Sequence, residues 1–139
     1  MTPPSGEARW LPPRVLIVMA EQWPRALLRA ALREIGYDAI GARTLAAVAR
    51  EARPVRDRGP LRLIVLDQRA IRRDAAEQSI VERVLSSGQP ETLLLARTTE
   101  PVRPGPWRLV LRRPLSVADI VSAVEKLVPL PIDRRQPVE

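Results

Sequence analysis

The chain has 139 residues, enough for one domain with a real core, and it contains no cysteine and no histidine. Disulfides, thiolate or histidine-ligated metal sites, cysteine nucleophiles, phosphohistidine carriers and serine–histidine hydrolases are thereby excluded. The formal charge is +7, yet every one of the 23 basic residues except Lys126 is arginine, a bias that with abundant Ala, Pro and Val points to a G+C-rich, bacterial genome rather than to a polyanionic partner.

Residues 1–12, with Pro3, Pro4 and Pro12 and no periodicity, predict a disordered N-terminal tail. Trp10 lies within it and is expected to tuck against the domain. Arg14 to Met19 (RVLIVM) is a continuous apolar run, as for a parallel strand buried on both faces. The run from Val15 to Ala20 is far too short to span a membrane or serve as a leader, so a cytoplasmic protein without membrane contact is expected. A helix follows, with Pro24 in its first turn and Leu27, Leu28, Ala31, Leu32 and Ile35 on the face expected to be buried; Gly36 is placed to end it. Tyr37–Ala42 reads as a second strand, and Thr44 as the cap of a short helix carrying Leu45, Val48, Ala49 and Ala52.

After a loop broken by Pro54, Gly59 and Pro60, Leu61–Asp67 (LRLIVLD) is the third strand and ends in an acid. A helix is predicted from about Asp74 to Ser87, burying Ile80, Val81, Val84 and Leu85. Thr92–Ala96 and Arg108–Leu111 are the fourth and fifth strands. Ser116-Val-Ala-Asp119 is a capping-box pattern opening a last helix with Val117, Ile120, Val121, Val124, Leu127 and Val128 inward. Residues 13–130 thus form one domain, and 131–139 a short tail. Repeated βα units call for an α/β domain with a doubly wound parallel sheet and right-handed crossovers.

These landmarks, in this order and spacing, resemble the response-regulator receiver domain from about Arg14 to Leu130. The resemblance implies a five-stranded sheet of order 2-1-3-4-5. It also implies a site at the strand tips: an acidic pair after the first strand, a phosphoacceptor aspartate ending the third, a Ser/Thr switch ending the fourth and Lys-Pro ending the fifth. In this chain Met19 and Ala20 stand at the acidic positions, followed by Glu21. Asp67 stands at the phosphoacceptor position. Ala96 matches the switch, with Thr98 shifted along, and Arg113-Pro114 replaces Lys-Pro. A thioether and a methyl group give Mg²⁺ no oxygen ligand, so no cofactor is expected and Asp67 is expected to stay unmodified. The alternative keeps a weak Mg²⁺ site on Asp67 and Glu21.

Two readings of Asp67 stand side by side. It is a strand-end carboxylate capping backbone donors, or it is ion-paired with Arg113 or Arg112, a fixed cation in place of a metal. Between the last two strands, Arg97–Trp107 carries Pro101, Pro104, Gly105 and Pro106, so the family's fourth helix is expected to be shortened or replaced by a loop. That change opens the possibility of a bare sheet face. A protein partner or a second copy could cover it, with Leu93, Leu95, Trp107 and Val110 near the contact, or the loop and Trp107 could fold over it themselves. The function expected is phosphorylation-independent signalling or assembly through protein–protein interaction, without enzymatic activity. Nucleic-acid binding by the arginines around Arg50–Arg58 and Arg69–Arg73 is disfavoured, because acids interleave with them and no aromatic stacking set accompanies them.

Overall fold

The computed structural model describes residues 10–71, 79, 83 and 90–131. The N-terminal residues 1–9, the C-terminal residues 132–139 and almost all of the helix expected over Asp74–Ser87 lie outside the described residues.

Five parallel strands form one sheet in the order β2-β1-β3-β4-β5, with β1 at Arg14–Val18, β2 at Asp38–Ala42, β3 at Leu61–Asp67, β4 at Glu91–Arg97 and β5 at Leu109–Arg113. Three described helices join them: α1 (Gln22–Ile35), α2 (Ala47–Glu51) and α3 (Val117–Leu127). The central strands are apolar on both faces because both faces are covered. Val15, Ile17, Leu63, Val65, Leu93 and Leu95 pack under α1 and α3 with Leu28, Leu32, Ile120, Val121 and Val124. Leu16, Val18, Ile64, Leu66 and Leu94 point the other way, against Leu45 and Val48 near α2, Ala70, Ile71, Val102 and Trp107. Each fully buried Leu or Ile contributes about 1.5–3 kcal/mol, and that burial, repeated along three strands, fixes the register.

The ends of the elements follow local chemistry. Gly36 ends α1 with φ 132°, a region other residues avoid, and its N–H bonds the Leu32 carbonyl. Ser116 and Asp119 form the expected capping box on α3. Thr44 is not the cap expected of it: α2 begins at Ala47 without a side-chain cap, and Ala49 and Ala52 face solvent. Arg14 is buried although it opens β1. Its guanidinium is spread over three carbonyls, those of Gly59 (2.7 Å), Glu51 (2.8 Å) and Arg53 (3.0 Å), which satisfies the charge and ties the β2–β3 connection to the first strand.

Leu27 departs from its expected place. The buried arc of α1 is centred on Leu28 and Leu32, and Leu27 is 56% exposed beside Trp23, which is 74% exposed.

Candidate functional site: a carboxylate held by two arginines

Asp67 ends β3 at the carboxyl edge of the sheet, where α/β folds of this kind bind ligands. It is 3% exposed. Its Oδ1 accepts the Arg69 backbone N–H at 3.0 Å, capping the short 3₁₀ turn Gln68–Ala70. Its Oδ2 accepts from two guanidiniums, Arg69 Nη2 at 3.0 Å and Arg113 Nη2 at 3.0 Å. Both readings of Asp67 therefore hold at once: it caps backbone and pairs with an arginine of the fifth strand.

Strand alternation decides between the two candidate arginines. β5 continues through Arg113 instead of stopping at Leu111, so Arg112 and Arg113 point to opposite faces. Arg113 shares the face of Leu109 and Leu111, which is also the face of Val65 and Leu95, and it reaches Asp67 across β4. Arg112 turns to the other side and donates to the carbonyls of Arg97 (3.1 Å), Thr98 (3.3 Å) and Glu100 (3.0 Å), closing the turn after β4. The Arg113–Pro114 peptide is cis.

Arg69 is the participant that the sequence reading did not place at Asp67. Beyond Asp67 it also pairs with Glu21, so Glu21–Arg69–Asp67–Arg113 runs as a chain of alternating charge across the tips of β1, β3 and β5. The cue was available: an Asp whose side chain caps the N–H two residues on draws that residue alongside it, and the residue two on is Arg69. The carboxylates hold the Arg69 pKa above its ordinary value, Asp67 most strongly through its hydrogen bond, outweighing the opposing effect of burial. Arg69 therefore keeps its charge in any ordinary buffer.

The other site positions are apolar or turned outward. Met19 is buried among Val15, Ile17 and the residues of α1 and α3, and Ala20 is exposed. The carbonyls of Met19 and Ala20 accept from Arg25 Nη1, at 2.8 and 3.4 Å. Ala96 is buried, and Thr98 is exposed with its carbonyl engaged by Arg112. These residues do not fit a Mg²⁺ ion. A hard cation needs several oxygen ligands, whereas here one buried carboxylate faces two guanidiniums, Glu21 is drawn to Arg69, and Arg25 takes the nearest carbonyls. No grouping of three or more acids suited to a metal occurs among the described residues.

The stretch from Arg97 to Trp107 contains no helix, as its prolines require. The sheet face beneath it is not bare. Val102 and Trp107 pack onto it, and Leu94 and Thr92 are buried. Trp107 Nε1 donates to the Arg103 carbonyl at 2.6 Å, which anchors the ring. Gln68, next to Asp67, clamps the loop from the other side, its amide donating to the Pro101 carbonyl (2.9 Å) and accepting from Arg103 N–H (2.9 Å). Leu93 and Leu95 lie on the opposite face, fully buried under α1 and α3, because residues one apart in a strand point opposite ways. Contrary to the expectation from the sequence, they do not border the loop; Trp107 and Val110 do, both half-buried.

No helix among the described residues is long and apolar enough to cross a membrane. No family model matches the chain, and no curated protein does. Solved structures do. A response regulator receiver domain protein from Bacillus halodurans C-125 is 18% identical, with 86% of this chain and 99% of that one covered and a TM-score of 0.62. The chemotaxis protein CheY4 of Vibrio cholerae is 16% identical over 84% of this chain and 99% of its own, TM-score 0.57. The Mn²⁺-bound form of the response regulator Rcp1 is 14% identical over 91% and 100%, TM-score 0.58. Strand order, parallel register and the place of the buried aspartate at a strand tip converge on one architecture: the chain has the receiver fold of response regulators, with arginines gathered around its strand-tip aspartate.

Proposed function

We propose that this chain is a pseudo-receiver: a signalling or assembly module that acts by binding protein, independently of phosphorylation, and is not an enzyme. The observation that carries the proposal is the double occupation of Asp67 Oδ2 by Arg69 and Arg113. Phosphoryl transfer to a carboxylate relies on a free attacking oxygen and on a metal to neutralise the incoming charge. Here the oxygen is hydrogen-bonded twice, and the neutralising charges already belong to the protein. Binding in the absence of chemistry requires a fixed surface, and the clamped Pro-rich loop and the Asp67 cluster supply rigidity on the carboxyl edge of the sheet.

The test is an NMR titration of ¹⁵N-labelled chain with Mg²⁺ and then with beryllofluoride. The expected result is no saturable shift of the Asp67, Gln68 and Arg69 amides with either. Shifts that saturate with Mg²⁺ and spread to Ala96 and Arg113 on adding beryllofluoride would mean that Asp67 is a working phosphoacceptor, and the proposal would fall.

A further inference from the structure

A buried guanidinium is costly, and what it holds in place is informative. Arg14 is 1% exposed, and its three hydrogen bonds all go to one segment, the connection from α2 to β3. Arg58 in that segment is clamped to Asp38 by two hydrogen bonds, at 2.8 and 2.9 Å. The Arg58 N–H closes a turn onto the Val55 carbonyl at 3.2 Å, with Asp57 at φ 65°. A loop far from Asp67 is therefore held in one shape. A fixed shape lowers the ordering cost of binding.

The loop walls one of two clefts at the amino edge of the sheet, the end away from Asp67. The first cleft, about 420 Å³, is lined by Pro54, Val55, Pro60, Leu61 and Pro90, with Arg14 and Arg58 beside them. The second, about 380 Å³, is lined by Trp10, Pro60, Val128, Pro129 and Pro131, with Arg62 beside them. Pro60 belongs to both, so the two form one surface. Each contains an exposed large apolar side chain, Val55 in the first and Trp10 in the second. The charge around them is one-sided. Asp38 is taken by Arg58, Glu51 lies between Arg14 and Arg50, and Glu91 faces Arg108 at 3.8 Å. Asp57 is the exposed acid of the turn, whereas Arg53, Arg56 and Arg62 are exposed. The side chains of these three arginines make no hydrogen bond or ion pair among the described residues.

Two clefts divided by a proline wall suit an extended chain better than a helix, which buries one unbroken stripe. In a polyproline II segment, residues three apart stand on the same side, roughly 9 Å apart. Such a pair can enter both clefts while the backbone passes over Pro60. Single-stranded nucleic acid fits less well, because Trp10 is the lone aromatic lining the clefts and base stacking calls for several. A second copy brings the same arginines and the same +7 charge.

We infer that the amino edge of the sheet is a docking surface for a proline-rich, acidic segment of another protein, bound in extended form. Its apolar residues pack on Trp10 and Val55, and its acids face Arg56 and Arg62. The inference rests on the interaction reading above and adds to it a second surface and the partner's chemistry.

The experiment is a selection from a phage-displayed library of short peptides with a fixed Pro-x-x-Pro centre against the immobilised full chain. Their flanks are randomised over Glu, Lys, Gln and Ser. Enriched peptides are expected to carry Glu in a flank. Added to ¹⁵N-labelled chain, their synthetic versions are expected to shift the Trp10 indole and the Val55, Arg62 and Leu130 amides. They are expected to bind Trp10→Ala and Val55→Ser at least about tenfold more weakly than the parent. Arg62→Glu is expected to abolish the preference for Glu over Lys. Val55 and Arg62 are exposed, so their variants keep the parent's thermal midpoint and carry the test should Trp10→Ala lower it. Absence of enrichment over an unrelated protein, enrichment of Lys flanks, or full-strength binding to Val55→Ser each overturns the proposal. So does displacement of the peptides by a single-stranded oligothymidylate or by synthetic peptides of residues 1–9 or 132–139. A homodimer in light scattering that Trp10→Ala dissolves overturns it as well. None of these outcomes bears on the Mg²⁺ and beryllofluoride titration, so a failure of the docking surface is distinguishable from a failure of the pseudo-receiver reading.

Discussion

Replacing Asp67 by Asn removes one charge and almost no volume, and its effect has a sign that separates two kinds of pocket. Where several carboxylates crowd together, deleting one relieves like-charge repulsion and stabilises the fold. In this chain the same deletion leaves Arg69 and Arg113 facing each other with no anion between them. Asn retains an oxygen for the Arg69 N–H, so the loss is confined to the two guanidinium contacts. A hydrogen bond to a charged group is worth about 1.5–3 kcal/mol. Asp67 is 5% exposed at its side chain but each arginine is 27% exposed, so water repairs part of the loss on the arginine side. Halving the two contacts for that solvation gives a destabilisation of about 1.5–3 kcal/mol. For a domain of this size that lowers Tm by roughly 5–12 °C. Calorimetry and urea unfolding of Asp67→Asn, Arg113→Met and the double variant measure it, the double costing less than the sum of the singles because they share one contact. A Tm unchanged or raised in Asp67→Asn would refute the reasoning.

Gly59→Ala should cost several kcal/mol and abolish cooperative folding at moderate temperature, because a Cβ there would stand 2.1 Å from the Pro12 carbonyl oxygen; circular dichroism melting reads this directly. Arg14→Met should lose about 3 kcal/mol, since three carbonyls bonded by the buried guanidinium lose their donor together, and urea midpoints report it. Gly105→Ala would place a Cβ 2.3 Å from the Trp107 ring and push that ring off the sheet, so tryptophan fluorescence should shift to the red with a smaller loss of stability. The Asp38–Arg58 pair holds the Arg58 pKa above its ordinary value, chiefly through the hydrogen bond. A raised cationic pKa gives stability that is complete below the unfolded value and lost only above it. The destabilisation by Arg58→Met should therefore stay constant from about pH 7 to pH 10, and a decline over that range in parallel urea titrations would contradict it.

The sheet was legible in the sequence because its central strands are buried on both faces and leave unbroken apolar runs, which is a signal that survives without an alignment. Strand ends were less so. β5 was read as stopping at Leu111, since charged residues follow, yet pairing with β4 carries it through Arg112 and Arg113. That two-residue extension is what separates the two arginines by face. The exposed position of Leu27 was missed for a related reason. Leu27 and Leu28 are adjacent, both apolar, and 100° apart on the helix, so either could border the core; only the sheet to be covered chooses Leu28. Leu93 and Leu95 were placed at the loop by proximity along the chain, where period-two alternation assigns them to the other face. The Asp67–Arg113 contact was anticipated as one of two pairings, while Arg69 escaped notice because a residue two positions away reads as part of a loop unless the Asp side chain is recognised as the cap that folds it back.

The distribution of arginines gives the molecule a consistent physical character. A module that switches needs two arrangements close in free energy, and a ligand or modification that prefers one of them. Here the strand-tip pocket is pinned by Arg69 and Arg113, the turn after β4 by Arg112 on three carbonyls, and the Pro-rich loop by Gln68 on one side and Trp107 on the other. Gln68 directly follows Asp67, so releasing the loop and releasing the pocket disturb the same short turn. If opening the pocket forfeits the roughly 1.5–3 kcal/mol worked out above for its ion pairs, any alternative arrangement is depleted by about 10- to 150-fold on that account alone. Such a chain is suited to presenting a constant surface, which is what the proposed pseudo-receiver role requires.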